Sequence, residues 1–283
     1  MNLLKIFDAV EAHDPEIYQR LDSRRQVMRN FANVGKKLSL TALPLVLSGM
    51  FQKAYGQTTG NAAVIDVLNF ALTLEHLEYR FYQRGVSAIG LIPAGAATTA
   101  ISSIRDNELA HVNFLKTTIT SLGGTPVSEP TFDFSAGNGS NVGPFVTVFT
   151  NYQTFLAVAQ VFEDTGVRAY KGQAGNLLQQ GDILQAALNI HSVEARHASH
   201  IRQMRKAAGF GDVKPWITGK DPGVGSANSI VQASYNGEES TTQAGVSIIN
   251  IGGQSISANA ASECFDEPLT KAEVLAIVDP FIV

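Results

Sequence analysis

The chain has 283 residues, 45% of them hydrophobic and 16% charged, enough for one good core and a small appendage. A net charge of −4 and an isoelectric point near 5.9 leave no basic field of the kind that binds nucleic acid. The single cysteine, Cys264, excludes an internal disulfide and any Cys-x-x-Cys metal site, and no apolar run reaches the roughly 20 residues of a transmembrane helix.

Residues 1–56 read as a separate amino-terminal segment. Met1–Asp22 mixes apolar and acidic positions and suits a short amphipathic helix. Ser23-Arg24-Arg25-Gln26-Val27-Met28-Arg29 resembles a twin-arginine export signal, although Val27 stands where such signals usually carry an aromatic residue or leucine. An apolar stretch, Leu38–Phe51, follows two lysines, and Ala54-Tyr55-Gly56 has the small-residue character of a cleavage site. The expectation is export, to the periplasm or beyond. The alternative is an interfacial helix, or a helix docked on the rest of the fold.

Residues 57–211 carry four long helical patterns. The first runs from Asn61 to about Arg84, with Glu75 on the face of Leu68, Ala71, Leu72 and Tyr82. Gly85, Gly90, Pro93 and Gly95 mark a loop. The second pattern spans about Thr98–Leu122 and contains Glu108-Leu109-Ala110-His111. Gly123-Gly124-Thr125-Pro126 stops it. Residues 123–146 form a long connection rich in Gly, Pro, Ser and Asn, which Phe132 and Phe134 are expected to pin to the helices. The third helix covers about Phe145–Ala174, with Glu163 on the face of Leu156, Ala159, Val167 and Tyr170. The fourth covers about Asp182–Ala208, where Leu184, Ala187, Ile190, Glu194, Ala198, Ile201 and Arg205 form an apolar stripe that also takes in His197.

A repeat is visible in this order. A lone glutamate precedes a Glu-x-x-His by 33 residues in the first half (Glu75 to Glu108) and by 31 in the second (Glu163 to Glu194). A tyrosine follows each lone glutamate by seven residues, Tyr82 and Tyr170. On a helix, residues at i and i+3 point the same way, so Glu108 with His111 and Glu194 with His197 aim two ligand-type groups at one place. A carboxylate in an apolar interior is costly unless it is paired or coordinated. Buried ion pairs are the bland alternative, with Arg105 and Arg205 near the same faces as partial neutralisers. Four inward carboxylates against two histidines still leave an excess of negative charge that cations would relieve.

The paired motifs resemble the ferritin-like superfamily, with the Glu-x6-Tyr spacing of its rubrerythrin branch. More closely, they resemble the bacterial ferritin-like domain proteins that include desiccation-related members. The likeness covers roughly Asn61 to Phe210. It implies an all-α, up-down four-helix bundle with a long crossover between the second and third helices, and two metal ions, iron or manganese, in its core. It further implies Glu75 and Glu163 as lone ligands, one per metal, Glu108 and Glu194 as bridging carboxylates, and His111 and His197 as terminal nitrogen ligands. Tyr82 and Tyr170 would hydrogen-bond ligand carboxylates or carry a radical, or simply pack. The implied partners are dioxygen or peroxide and, because one cysteine cannot build the rubredoxin-type centre of rubrerythrin, an external electron donor. The implied reaction is oxidation of Fe(II) or removal of peroxide, in envelope stress protection. A non-catalytic desiccation-stress scaffold with a structural or vestigial metal is the alternative. A homo-oligomer is compatible with either.

Other polar residues receive lesser readings. Glu78 flanks Glu75 as a neighbour of the ligands, a surface charge or an alternative ligand. His191 sits at the edge of its stripe as a satisfied core histidine or a support to the ligands. His76 and His200 fall on other faces and read as solvated, and His13 has no visible partner. Residues 212–283 change character. Repeated glycines break the chain after Lys214-Pro215-Trp216, Val246–Ile251 suggests a strand or hairpin, and Thr270 looks like the cap of a last helix to about Val278. This extension reads as a cover or interaction module on the bundle, or else as a partly disordered linker.

Overall fold

A computed structural model describes residues 61–224 and 229–283. The twin-arginine-like segment, read as an expected export signal, and His13 lie outside the described residues. Four long helices follow one another: α1 (Asn61–Ser87), α2 (Ala96–Ser121), α3 (Tyr152–Ala174) and α4 (Gly181–Ala207). They form an up-down bundle of two antiparallel pairs, α1 on α2 and α3 on α4. The pairs meet mainly where α1 approaches α3, whereas α2 and α4 touch at few points. Residues 122–151 make the long crossover between the pairs.

The third helix begins later than its periodicity suggests, at Tyr152 rather than Phe145. Asn151 is extended, and its side-chain oxygen accepts from the Thr154 amide at 2.9 Å, so the backbone donors of the first turn are capped there. The preceding residues turn instead, with the Phe145 amide donating to the Ser135 carbonyl at 2.9 Å.

Phe81 is the centre of the aromatic core. Its ring stacks on Phe155 (centroids 4.8 Å apart) and meets Phe162 and Phe134 edge-on at 5.1 and 5.6 Å. Gly85 makes the stacking possible, because a Cβ there would lie 2.3 Å from the Phe155 ring. Phe134 thus seats the crossover in the core, and Phe132 pairs with Ile282 near the chain's end.

Helix α3 is buried on almost every face, because the extension covers the side that the bundle leaves open. Its outward polar stripe bonds that cover. Arg168 donates to the carbonyls of Glu267, Ser234 and Asn236 at 2.7, 2.6 and 2.9 Å and pairs with Glu238 at 2.7 Å. Asp164 accepts from the Tyr235 hydroxyl at 2.6 Å, and Thr165 donates to Ser234 at 3.0 Å. Within the extension are a short helix α5 (Ser229–Ala233), a hairpin of β1 (Thr242–Gln243) on β2 (Val246–Ser247), α6 (Ala258–Ser262) and α7 (Lys271–Val278). Thr270 and Glu273 close a reciprocal capping box at the start of α7. No helix among the described residues is long and apolar enough to cross a membrane.

Candidate metal centre

Each long helix delivers carboxylates or an imidazole to one layer of the bundle. Glu75 comes from α1, Glu108 and His111 from α2, Glu163 from α3, and Glu194 and His197 from α4. All four carboxylates are fully buried, while the two histidines reach the edge of the site. His111 Nδ1 lies 3.0 Å from Glu75, 3.0 Å from Glu108 and 3.2 Å from Glu194. His197 Nδ1 lies 2.8 Å from Glu108, 3.3 Å from Glu163 and 3.6 Å from Glu194. The donors fall into two groups, Glu75–Glu108–His111–Glu194 and Glu108–Glu163–Glu194–His197, which share Glu108 and Glu194.

Hydrogen bonding does not account for this convergence. One ring nitrogen has at most one proton, yet each faces three carboxylate oxygens. Among the described residues, His197 Nδ1, Glu108 Oε1, Glu163 Oε2 and both oxygens of Glu194 make no hydrogen bond, despite their close approach. Buried donor atoms that crowd together without hydrogen-bond geometry fit a shared positive centre. Oxygen and imidazole donors suit divalent ions such as iron or manganese.

The electrostatics carry the same message. Burial pushes Glu75 up to about 8, although His111 pulls the other way. Burial likewise raises Glu163 well above the ordinary range. For His111 and His197 burial opposes the charged ring, yet the surrounding carboxylates outweigh it and raise both strongly. Glu194 is drawn down to about 2: burial disfavours its charge, but two imidazoles lie against it. Protons on the histidines are thus the only positive charge facing this cluster within ion-pair reach among the described residues.

Two tyrosines brace the site from opposite sides. Tyr82 on α1 donates to Glu163 on α3 at 2.5 Å, and Tyr170 on α3 donates to Glu75 on α1. Each half of the repeat therefore supports the lone glutamate of the other half. Burial raises both phenols well above their usual pKa, so both keep the proton they donate.

Several expectations need correction. Arg105 does not face the cluster; it is bound to its neighbour Asp106 at the surface. Arg205 is buried but bonds Gln160 and the Gly223 carbonyl, away from the carboxylates. His76 is not solvated. The crossover folds over that face of α1, where Asn69 holds Thr125 and Val127, and buries the ring with Nδ1 3.5 Å from Glu129. Burial lowers its pKa to about 4. Glu78 is no surface charge: it is buried, raised well above the carboxylate range by burial and by Glu194 and Glu163, and admitted by Gly166. A Cβ on Gly166 would come within 3.1 Å of Glu78 Oε1. His191 is only half-buried, and its Nε2 has no partner among the described residues. His200 is exposed. Asn107, which carries no periodic signal, lies with its side-chain nitrogen 3.1 Å from His197 Nε2.

A family model described as a ferritin-like domain matches residues 63–207. No curated protein matches the chain.

Proposed function

Because the chain belongs to the ferritin-like domain family, we propose that its buried carboxylate and histidine cluster holds two iron or manganese ions and serves oxidation of Fe(II) or reduction of peroxide. The observation that carries the reading is the sharing of Glu108 and Glu194 by two donor groups, each built around one imidazole. In this reading Glu108 and Glu194 would serve both ions, Glu75 and His111 would hold one, and Glu163 and His197 would hold the other. A pair of such ions bound to oxygen and nitrogen donors supplies redox chemistry toward dioxygen or peroxide.

The chain's own residues position this chemistry. Tyr82 and Tyr170 fix the orientation of Glu163 and Glu75 and keep a proton at each phenol. The aromatic core around Phe81 packs beside Tyr82, which braces Glu163, whereas the two histidines are the most exposed of the six candidate ligands, on α2 and α4, helices that touch at few points. A small oxidant would enter there. Reducing equivalents would come from an external donor. Residues 23–29 support export, and with it a role in envelope stress.

The test is metal content after anaerobic reconstitution with Fe(II), for the parent and for a Glu108→Ala, Glu194→Ala double variant, followed by peroxide consumption. Near two ions per chain in the parent, lost in the variant, with peroxide turnover, is the expected result. A parent that takes up no metal would overturn the reading. Metal uptake without turnover would favour the second reading, a stress-related scaffold with a structural metal, which the complete burial of the four carboxylates also suits.

A further inference from the structure

A second unusual charge lies well apart in chemistry from the carboxylates. Arg205, near the end of α4, is only 2% exposed and has no carboxylate within 4.0 Å among the described residues. The natural counter-ion, Asp164, is already engaged: it binds Arg202 through two bonds of 2.5 and 2.6 Å and accepts from Tyr235 at 2.6 Å. Arg205 is left with neutral acceptors, Gln160 Oε1 and the carbonyls of Gly223 at 2.7 Å and Phe210 at 3.5 Å. Its Nε–H has no acceptor among the described residues. A buried cation satisfied only by neutral groups is costly, and an anion would relieve it.

Arg205 borders a cavity of about 510 Å³ between α3, the crossover and the extension. The walls are largely hydrocarbon, including Phe145, Val158, Val161, Val231 and Phe281. Gln153, on its rim, is exposed, so the cavity has a mouth. A volume in the ordinary range for small ligands, an apolar body and one unpaired guanidinium define a chemical class.

We propose that this cavity binds an organic monocarboxylate with a hydrocarbon body, its carboxylate paired with Arg205. The Nε–H of Arg205 would donate to a carboxylate oxygen, whose charge supplies the counter-ion that the neutral acceptors do not, and the hydrocarbon replaces water against the apolar walls. An inorganic anion would satisfy the charge but leave those walls wet. The site is independent of the metal reading, since none of its residues is among the six candidate ligands.

Calorimetric titration of the full-length protein with octanoate tests this, with 1-octanol as a neutral control of equal chain length. Saturable octanoate binding is expected, with at least tenfold weaker binding of octanol and at least tenfold weaker octanoate binding by Arg205→Met. Ala157→Trp keeps the guanidinium and places an indole in the cavity, so it should abolish binding; it decides the matter if Arg205→Met does not fold. Metal content of Ala157→Trp should equal that of the parent, which separates failure here from failure of the metal reading. No octanoate binding by the parent at millimolar concentration would overturn the proposal, as would equal binding of octanol or undiminished binding by either variant.

Discussion

Tyr82 donates its hydroxyl to Glu163, 2.5 Å away on the opposite helix pair, and Tyr170 returns the arrangement to Glu75. Removing the Tyr82 hydroxyl leaves a buried carboxylate short of a donor without changing the shape of the core. Tyr82→Phe is therefore expected to cost the metal-free protein about 1–3 kcal/mol, read by denaturant unfolding. Supporting donors of this kind also tune ligands, so metal affinity should fall by roughly 10–100-fold. A variant equal to the parent in both measurements would mean that the hydroxyl supports nothing.

The two donor groups share carboxylates unequally, and this predicts unequal losses. Glu75 belongs to one group alone, whereas Glu108 belongs to both. Glu75→Ala should halve the metal content after reconstitution, and Glu108→Ala should abolish it. Equal loss in the two variants would contradict the shared role of Glu108. The measurement is metal analysis of desalted protein, with circular dichroism to confirm that each variant is folded.

Stability against pH should change slope with metal. Glu75 holds its proton to about pH 8 when folded, against an ordinary value of 4.5. Between those values the folded chain carries a proton that the unfolded chain has released, so stability falls as pH rises. His111 and His197, raised above their ordinary 6.5, add to the loss above that pH. Glu194, lowered to about 2, acts in the opposite sense only below 4.5. His76, lowered to about 4, opposes this only below its ordinary 6.5, so the metal-free melting temperature should decline from pH 6.5 to 8. With Mn(II) present the slope should flatten or reverse, because bound ligands must be deprotonated. A metal-free melting temperature that rises across this range would refute the assignment of these charges.

What the sequence made legible was whatever is encoded locally. The i, i+3 spacing of Glu108 with His111, and of Glu194 with His197, fixes the direction of each pair on its helix whatever the helix packs against. The capping box of Thr270 and Glu273 is equally local, and it starts α7 where the sequence places it. Partners chosen across the fold were not legible. Arg205 shares its stripe with Glu194, but a side chain three turns away ends in another layer, against Gln160 and Gly223. His76 looks solvated on its own helix because nothing in α1 announces that the crossover will cover it. The burial of Glu78 likewise depends on a missing side chain at Gly166, in a helix contributed by the other half of the repeat.

The extension's hold on the bundle can be tested at one glycine. On α3, a Cβ at Gly172 would lie 1.9 Å from the Leu269 carbonyl oxygen, a backbone atom that cannot swing aside. The neighbouring contact, the Leu269 amide to the Arg168 carbonyl at 3.2 Å, fixes the extension at that distance. Gly172→Ala should therefore destabilise by about 1–3 kcal/mol, through forced separation of backbones rather than lost burial. Limited proteolysis should then cut residues 212–283 sooner than in the parent. Gly175 is the control. Its conformation is right-handed helical (φ −60°, ψ −29°), and none of the described residues lies within 4 Å of a Cβ built there. Gly175→Ala should stabilise by about 0.4–1 kcal/mol, because it restricts the unfolded chain without strain in the folded one. Opposite signs from the same substitution three residues apart would locate the clamp between α3 and the extension; equal effects would mean that the extension yields at Leu269.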